Sequence, residues 1–170
     1  EFLRQVLSTL PLKVSYFVEG KFLNTENYLS SPFTIDCYVK DSSIIGQPIY
    51  INFSSPTTAN ISIGDRHYDI LVGDSTILSQ VNLVLKVRNY EAIESAKNLV
   101  TENQYFFIIN DVNSLINSFS RNISVRLLNV SAKTVQIGFQ DPNSRKSADV
   151  AQALAERYIQ YDVEKRSESA

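Results

Sequence analysis

The hydrophobic periodicity of this sequence switches repeatedly between the period of two typical of a β-strand and the period near 3.6 typical of a helix. Alternation predicts strands at FTIDCYV (33–39) and at KTVQIGFQD (133–141), while helical spacing predicts helices over 2–10, 89–103 and 111–122. Strand and helix patterns are intermixed, and some successive strands are joined by short turns. The sequence therefore predicts an α+β fold in which a mixed β-sheet packs with helices.

A single domain is expected over 1–170. A chain of 170 residues can bury about two-thirds of the surface that its unfolded form exposes, and it contains no repeat and no low-complexity linker. The strand-dense segment 46–89, with turns at Gly64-Asp65 and Gly73-Asp74, is interpreted as a β-rich insertion carried by the main sheet.

The last segment, 144–170, is predicted to be the start of a long helix. Asn143 or Ser144 can cap its first turn, and Val150, Leu154, Tyr158 and Tyr161 form one apolar stripe whose first half should pack on the sheet. The pattern contains no glycine or proline that would end the helix. We therefore expect the helix to be truncated, and the sequence to be a piece excised from a longer protein.

Charge and residue usage argue against several classes of function. With 16 basic and 18 acidic side chains, and basic residues gathered only in short pairs such as Arg145 and Lys146, the chain lacks the basic face that nucleic acid requires. Its one cysteine, Cys37, lies in a predicted strand and its one histidine, His67, in a predicted turn. They offer neither a disulfide nor a metal cluster, and they exclude most nucleophile–base pairs.

Two carboxylates acting together remain a possible hydrolytic arrangement. Five aspartates are available for it, but each also suits a turn or a helix cap: Asp36, Asp65, Asp69, Asp74 and Asp111. We accordingly expect no catalytic, cofactor-binding or metal-binding residue in this chain. No apolar run approaches the ~20 residues that span a bilayer.

The segment 135–166 carries a recognisable motif, a strand followed by Asp-Pro and an alanine-rich helix. Its matching residues are Ile137, Phe139, Asp141, Pro142, Ala148, Ala151, Ala153, Leu154, Ala155, Glu156, Tyr158 and Ile159. The segment resembles the end of the periplasmic domain of bacterial polysaccharide co-polymerases. These are the chain-length determinant (Wzz-like) proteins and the related capsular polysaccharide tyrosine autokinases. Asn143 and Gln152 are mild departures from the family pattern.

A second motif lies in 6–35 and resembles Bacteroidetes-type members of the same family. It consists of a short helix, a VSYF strand, a glycine–basic turn and an SPF segment. Its residues are Val14, Ser15, Tyr16, Phe17, Gly20, Tyr28, Ser31, Pro32 and Phe33. The two motifs cover roughly the first and last 35 residues, and the middle of the chain resembles the family only loosely.

The resemblance implies a non-catalytic module on the periplasmic side of the bacterial inner membrane, between two transmembrane helices of the parent protein. That protein would form ring-like homo-oligomers that regulate the chain length and export of capsular polysaccharide, exopolysaccharide or O-antigen, together with the polymerase and export machinery. Any kinase domain would be cytoplasmic, no cofactor is implied, and the isolated chain should be monomeric or weakly associated. The alternative is a soluble periplasmic carbohydrate-binding or adaptor domain, which would present exposed aromatic side chains to a sugar.

Overall fold

The computed structural model describes residues 1–98 and 104–169. Its helices are α1 (Phe2–Ser8), α2 (Tyr90–Asn98), α3 (Val112–Ser120) and α4 (Ser144–Glu168). Its strands are β1 (Val14–Val18), β2 (Thr25–Glu26), β3 (Phe33–Val39), β4 (Pro48–Ser55), β5 (Thr58–Ile63), β6 (Arg66–Leu71), β7 (Ser75–Ile77), β8 (Val81–Val87), β9 (Tyr105–Ile109), β10 (Ile123–Asn129) and β11 (Thr134–Phe139). The predicted α+β class is confirmed.

The strands form three antiparallel sheets rather than one mixed sheet. Six strands are ordered β2-β1-β9-β4-β5-β6, three are ordered β3-β8-β7, and β10 pairs with β11 alone. Side-chain alternation along a strand identifies which positions are buried but does not identify the neighbouring strand. The number of sheets and their antiparallel order therefore lay beyond the sequence pattern.

The chain divides into two compact units. The larger unit is one continuous segment, residues 14–110. Its buried side chains come from the six-stranded sheet, the three-stranded sheet and α2, and include Phe33, Ile51, Leu85, Ile93 and Phe107. The segment 46–89 supplies β4, β5 and β6 to the larger sheet and β7 and β8 to the smaller one. Each of the two sheets of this unit therefore contains strands from this segment.

The other unit combines residues 1–13 with residues 111–170. Within it, α1 packs against α3 and α4, and α4 packs against β11. Its core contains Val6, Leu7, Phe119, Phe139 and Val150. The division into two units had no counterpart in the sequence pattern, and the single domain over 1–170 stays a prediction.

His67 was expected in a turn, and this expectation was wrong. Gly64 and Asp65 form a two-residue turn in which Gly64 adopts a positive φ of 56°. Because the turn is so short, Ile63 and Arg66 are already paired and His67 lies in β6 opposite Ser62. The part of the second predicted helix that follows Asn98 falls outside the described residues.

Candidate functional site

Tyr16 and Phe17 of the first motif fix β1 from both sides. The Tyr16 ring meets the Phe33 ring edge-on, with centroids 5.4 Å apart, and its hydroxyl oxygen accepts a hydrogen bond of 2.9 Å from the Ile35 backbone N–H. Phe17 stacks on Phe106 of the neighbouring β9 at 4.9 Å. Burial of the Tyr16 hydroxyl raises its pKa, and the hydrogen bond from Ile35 opposes part of that shift.

Gly20 and Pro32, from the same motif, occupy positions with specific backbone demands. A Cβ atom at Gly20 would lie 2.3 Å from the carbonyl oxygen of Leu23, so a larger side chain cannot be accommodated without movement of the backbone. The carbonyl oxygen of Pro32 accepts hydrogen bonds from the backbone of Arg88 and Asn89, at 2.8 and 3.1 Å. These two residues therefore act on the turn after β1 and on the start of β3.

The second motif forms the junction between β11 and α4. The Asn143 side chain accepts a hydrogen bond of 2.9 Å from the Lys146 N–H and caps the helix. One Asp141 carboxylate oxygen accepts from the Asn143 N–H at 2.8 Å. The other lies 3.0 Å from the Lys146 ammonium, which is itself 6.0 Å from the centre of the Phe119 ring.

This junction fixes the direction in which α4 leaves the hairpin. Side chains of Asp141 and Lys146 are only 9% and 10% exposed, so their ion pair is shielded from water and from salt. Ser147 adds a hydrogen bond of 2.6 Å from its hydroxyl to the Phe139 carbonyl. Pro142 is exposed within the turn that these contacts hold.

The surroundings of α4 change half-way along its length. Val150 and Leu154 are buried, and the small side chains of Ala151 and Ala155 lie beside them at intermediate exposure. From Ile159 to Glu168 every side chain is exposed apart from Asp162, which is intermediate. These ten residues represent about 15 Å of helix at the usual rise of 1.5 Å per residue. The unburied half includes three large apolar groups, Ile159, Tyr161 and Val163.

An apolar groove of about 250 Å³ lies beside the packed half of α4. Its lining includes Leu3 of α1, Ile123, Val125 and Ile137 of the hairpin, and Leu154 and Tyr158 of α4. Two residues of the second motif, Leu154 and Tyr158, therefore meet the hairpin at this groove. Its walls are apolar side chains, which can accept another apolar group but offer no polar atom to orient a reaction.

A second depression, of about 600 Å³, lies in the other unit between the ends of several strands and α2. Polar groups on its rim include Glu19, Asn52, Lys97 and Gln104. The Lys97 ammonium donates a hydrogen bond to the Phe53 carbonyl. Since Lys97 and Gln104 flank residues 99–103, which lie outside the described ranges, we assign this depression no function.

Three of the five candidate aspartates make structural contacts. Asp36 pairs with Lys86 across β3 and β8, Asp69 accepts from Asn60 at 2.9 Å, and Asp111 caps α3 through the Ser114 N–H. Within the described ranges, no three histidine, cysteine or acidic side chains lie close enough to hold a metal ion. No helix in those ranges is long and apolar enough to cross a membrane.

One pair with the atoms of a nucleophile and a base was not foreseen. The Ser62 hydroxyl lies 2.8 Å from His67 Nδ1, across β5 and β6. His67 is exposed and Ser62 is half-buried, and neither of the two pockets described above contains them. Cys37 lies in β3, in a different sheet from His67. We interpret Ser62 and His67 as a cross-strand contact that stabilises the β5–β6 hairpin.

Neither a scan against protein-family models nor a search of curated proteins finds a match for this chain.

The exposed apolar end of the β10–β11 hairpin was not predicted from the sequence. Four large apolar side chains there are each at least 59% exposed: Val125, Leu127, Leu128 and Val130. The charge distribution could have indicated this hairpin, because residues 112–140 contain three basic residues and no acidic one. Alternation alone does not distinguish this hairpin from a buried one.

Proposed function

We propose that this chain is a non-catalytic periplasmic module of an inner-membrane protein that regulates the chain length and export of a bacterial surface polysaccharide. The proposal starts from the resemblance of the two terminal motifs to the polysaccharide co-polymerases. The observation that carries it is the arrangement at the second motif. There a buried ion pair anchors a helix of 25 residues, and the buried side chains of that helix all lie in its first half.

A module of this kind works through geometry and has no need of a reaction centre. The Asp141–Lys146 pair and the Asn143 cap hold the root of α4, and Val150 and Leu154 bury its first half. The exposed second half, with Ile159 and Val163, is then available to neighbouring copies in the homo-oligomer that we propose for the parent protein. The polysaccharide and its polymerase would meet that assembly rather than a single chain.

The decisive experiment is made in the bacterium that carries the gene. Deletion of the segment encoding residues 1–170 should abolish the normal length distribution of the surface polysaccharide, measured by gel electrophoresis of the extracted glycan. An unchanged distribution in the deletion strain would refute the proposed function.

A pair of matched double variants then addresses α4 itself. Ile159→Asp with Val163→Asp places two charges on the exposed apolar groups, and we expect a shifted length distribution at a normal protein level. Gln152→Asp with Gln160→Asp adds the same two charges at exposed polar positions of the same helix, and we expect the wild-type distribution. If both double variants behave alike, the exposed apolar groups are not the operative part.

The context and assembly of the protein provide separate tests. The reading frame should encode an apolar span of ~20 residues on each side of this segment. Light scattering of the isolated chain should report a monomer or weak association, because the proposed rings depend on the parent protein. A stable large ring formed by residues 1–170 alone would contradict this assignment. Turnover of a glycan by the isolated chain would favour a hydrolase instead.

A further inference from the structure

The β10–β11 hairpin is amphipathic over its whole length. Cross-strand pairs place Val125 opposite Ile137 and Leu127 opposite Val135, on one face, while Arg126 and Gln136 share the other. At the root of the hairpin, Phe139 is buried and Ile137 is partly covered. Towards its end, Val125 and Leu127 have no comparable cover among the described residues.

The end of the hairpin holds its shape through local backbone contacts. Leu128 has no cross-strand partner because the register shifts between Leu127 and Asn129. The Asn129 side chain accepts a hydrogen bond of 2.8 Å from the Ala132 N–H, and Lys133 adopts a positive φ of 51°. This turn presents Val130, which is 77% exposed, to the solvent.

The same end carries only positive charge. Residues 112–140 include Arg121, Arg126 and Lys133 and no aspartate or glutamate, in a chain whose net charge is −2. Arg126 and Lys133 are exposed, and among the described residues neither side chain is paired with an acid. Exposed Leu and Val side chains beside unpaired basic groups are the combination that binds a surface both apolar and anionic.

From these observations we propose that the end of the β10–β11 hairpin is a membrane-docking element that inserts into the headgroup region of an anionic phospholipid bilayer. Leu127, Leu128 and Val130 enter the boundary between headgroups and acyl chains, while Arg126 and Lys133 extend to the phosphates. The proposal goes beyond the proposed function and does not depend on it, because it concerns lipid alone.

A bilayer fits this surface better than a second protein does. Leu127 belongs to a strand face, Leu128 to a bulge and Val130 to the turn, so the exposed apolar groups are not confined to one side of the hairpin. A protein groove covers one side, whereas a lipid interface surrounds an inserted element. Insertion only to headgroup depth also leaves the outer strand edges in contact with water, which their free backbone groups require.

Fluorescence can test insertion directly because the chain contains no tryptophan. In a Val130→Trp variant we expect a blue shift of emission on addition of vesicles of phosphatidylglycerol and phosphatidylcholine. Vesicles of phosphatidylcholine alone should give little change. Ile77→Trp is the matched control, since Ile77 is 74% exposed in the other unit, and its emission should not move. Equal shifts for both variants, or none for Val130→Trp, would overturn the proposal.

Co-sedimentation with the same vesicles separates the apolar and the electrostatic contributions. Leu128→Ser with Val130→Ser, and separately Arg126→Gln with Lys133→Gln, should each weaken binding at least about tenfold, whereas Ile77→Ser should not. Added salt should weaken the wild type and have less effect on the charge variant. If instead the wild type forms a dimer in sedimentation, ignores the vesicles, and loses the dimer on Leu128→Ser with Val130→Ser, the surface is an interface between copies and the proposal fails.

Discussion

The Lys146 ammonium lies 3.0 Å from an Asp141 carboxylate oxygen, and about nine-tenths of each side chain is buried. Removal of one partner leaves the other charge buried without compensation, which typically costs 3–5 kcal/mol. We expect Asp141→Ala to lower the free energy of unfolding by about 3 kcal/mol, measured by urea denaturation. Asp149→Ala, which breaks the largely exposed Arg145 pair on the same helix, should cost less than about 1 kcal/mol. If both variants lose the same free energy of unfolding, the Asp141–Lys146 pair contributes no more to stability than the Arg145–Asp149 pair does.

The loss of stability caused by an alanine substitution should differ sharply between the two halves of α4. Leu154 is 3% exposed, so Leu154→Ala opens a cavity and should cost about 3 kcal/mol. Ile159→Ala removes an exposed side chain five residues later, and we expect a change within about 0.5 kcal/mol in the isolated chain. Urea denaturation measures both variants. A large cost at Ile159 would mean that the second half of the helix is covered in solution.

The protein should lose stability in alkaline solution. Burial raises the pKa of the Tyr16 and Tyr105 hydroxyls above the value of 10.0 that is usual for tyrosine, so these groups stay protonated in the folded state at pH values where the unfolded chain ionises. The folded state then binds more protons, and the free energy of unfolding falls as pH rises above 10. Denaturation series on either side of pH 10 should show this decline, with a smaller one for Tyr16→Phe.

Tyr16→Phe also removes the acceptor for the Ile35 N–H. A partly buried donor left without a partner costs about 1–2 kcal/mol, so the variant should be less stable at neutral pH by that amount. Tyr38→Phe is the control, since Tyr38 is exposed on β3, the strand that contains Ile35, and its substitution should be neutral. If Tyr16→Phe is neutral as well, the hydroxyl of the motif tyrosine has no structural role.

Gly20→Ala should destabilise the turn after β1. The added methyl group would lie 2.3 Å from the Leu23 carbonyl oxygen, and the required backbone shift should cost about 1–3 kcal/mol. Lys21→Ala, an exposed neighbour in the same turn, should change stability by less than about 0.5 kcal/mol. Thermal melts of the two variants compare them directly, and a wild-type melting temperature for Gly20→Ala would show that the turn adapts.

Hydrophobic alternation predicted a strand correctly where turn residues bound the alternating segment at both ends. Phe33–Val39 matches the predicted segment FTIDCYV, and this strand pairs along its full length with β8. The short strands β2 and β7 escaped notice because two or three residues are too few to show alternation. Position in the sheet could not be predicted: β9 lies between β1 and β4, which are far from it in sequence, and only tertiary packing selects such neighbours.

The motif at the start of α4 was partly predictable. Asn143 was one of two expected caps because a short polar side chain before a helix can accept from its first N–H groups. The burial of Lys146 was not foreseen, since lysine is almost never buried unless it is paired, and its partner lies five residues earlier across a turn. The exposed end of the hairpin was missed because a Val–Leu alternation has the same appearance whether its apolar face is covered or open.

The buried root of α4 gives the helix the properties of a lever. Between Ser144 and Glu168 the chain has no glycine or proline, so 25 residues form one continuous rod of about 37 Å. When the Asp141–Lys146 junction reorients, the displacement of the helix therefore grows with distance from that junction. A tilt of about 10° at the root displaces the far end by about 6 Å, roughly one helical turn. The same tilt moves Leu154, nearer the root, by less than half that distance, so the contacts of the exposed far end change the most.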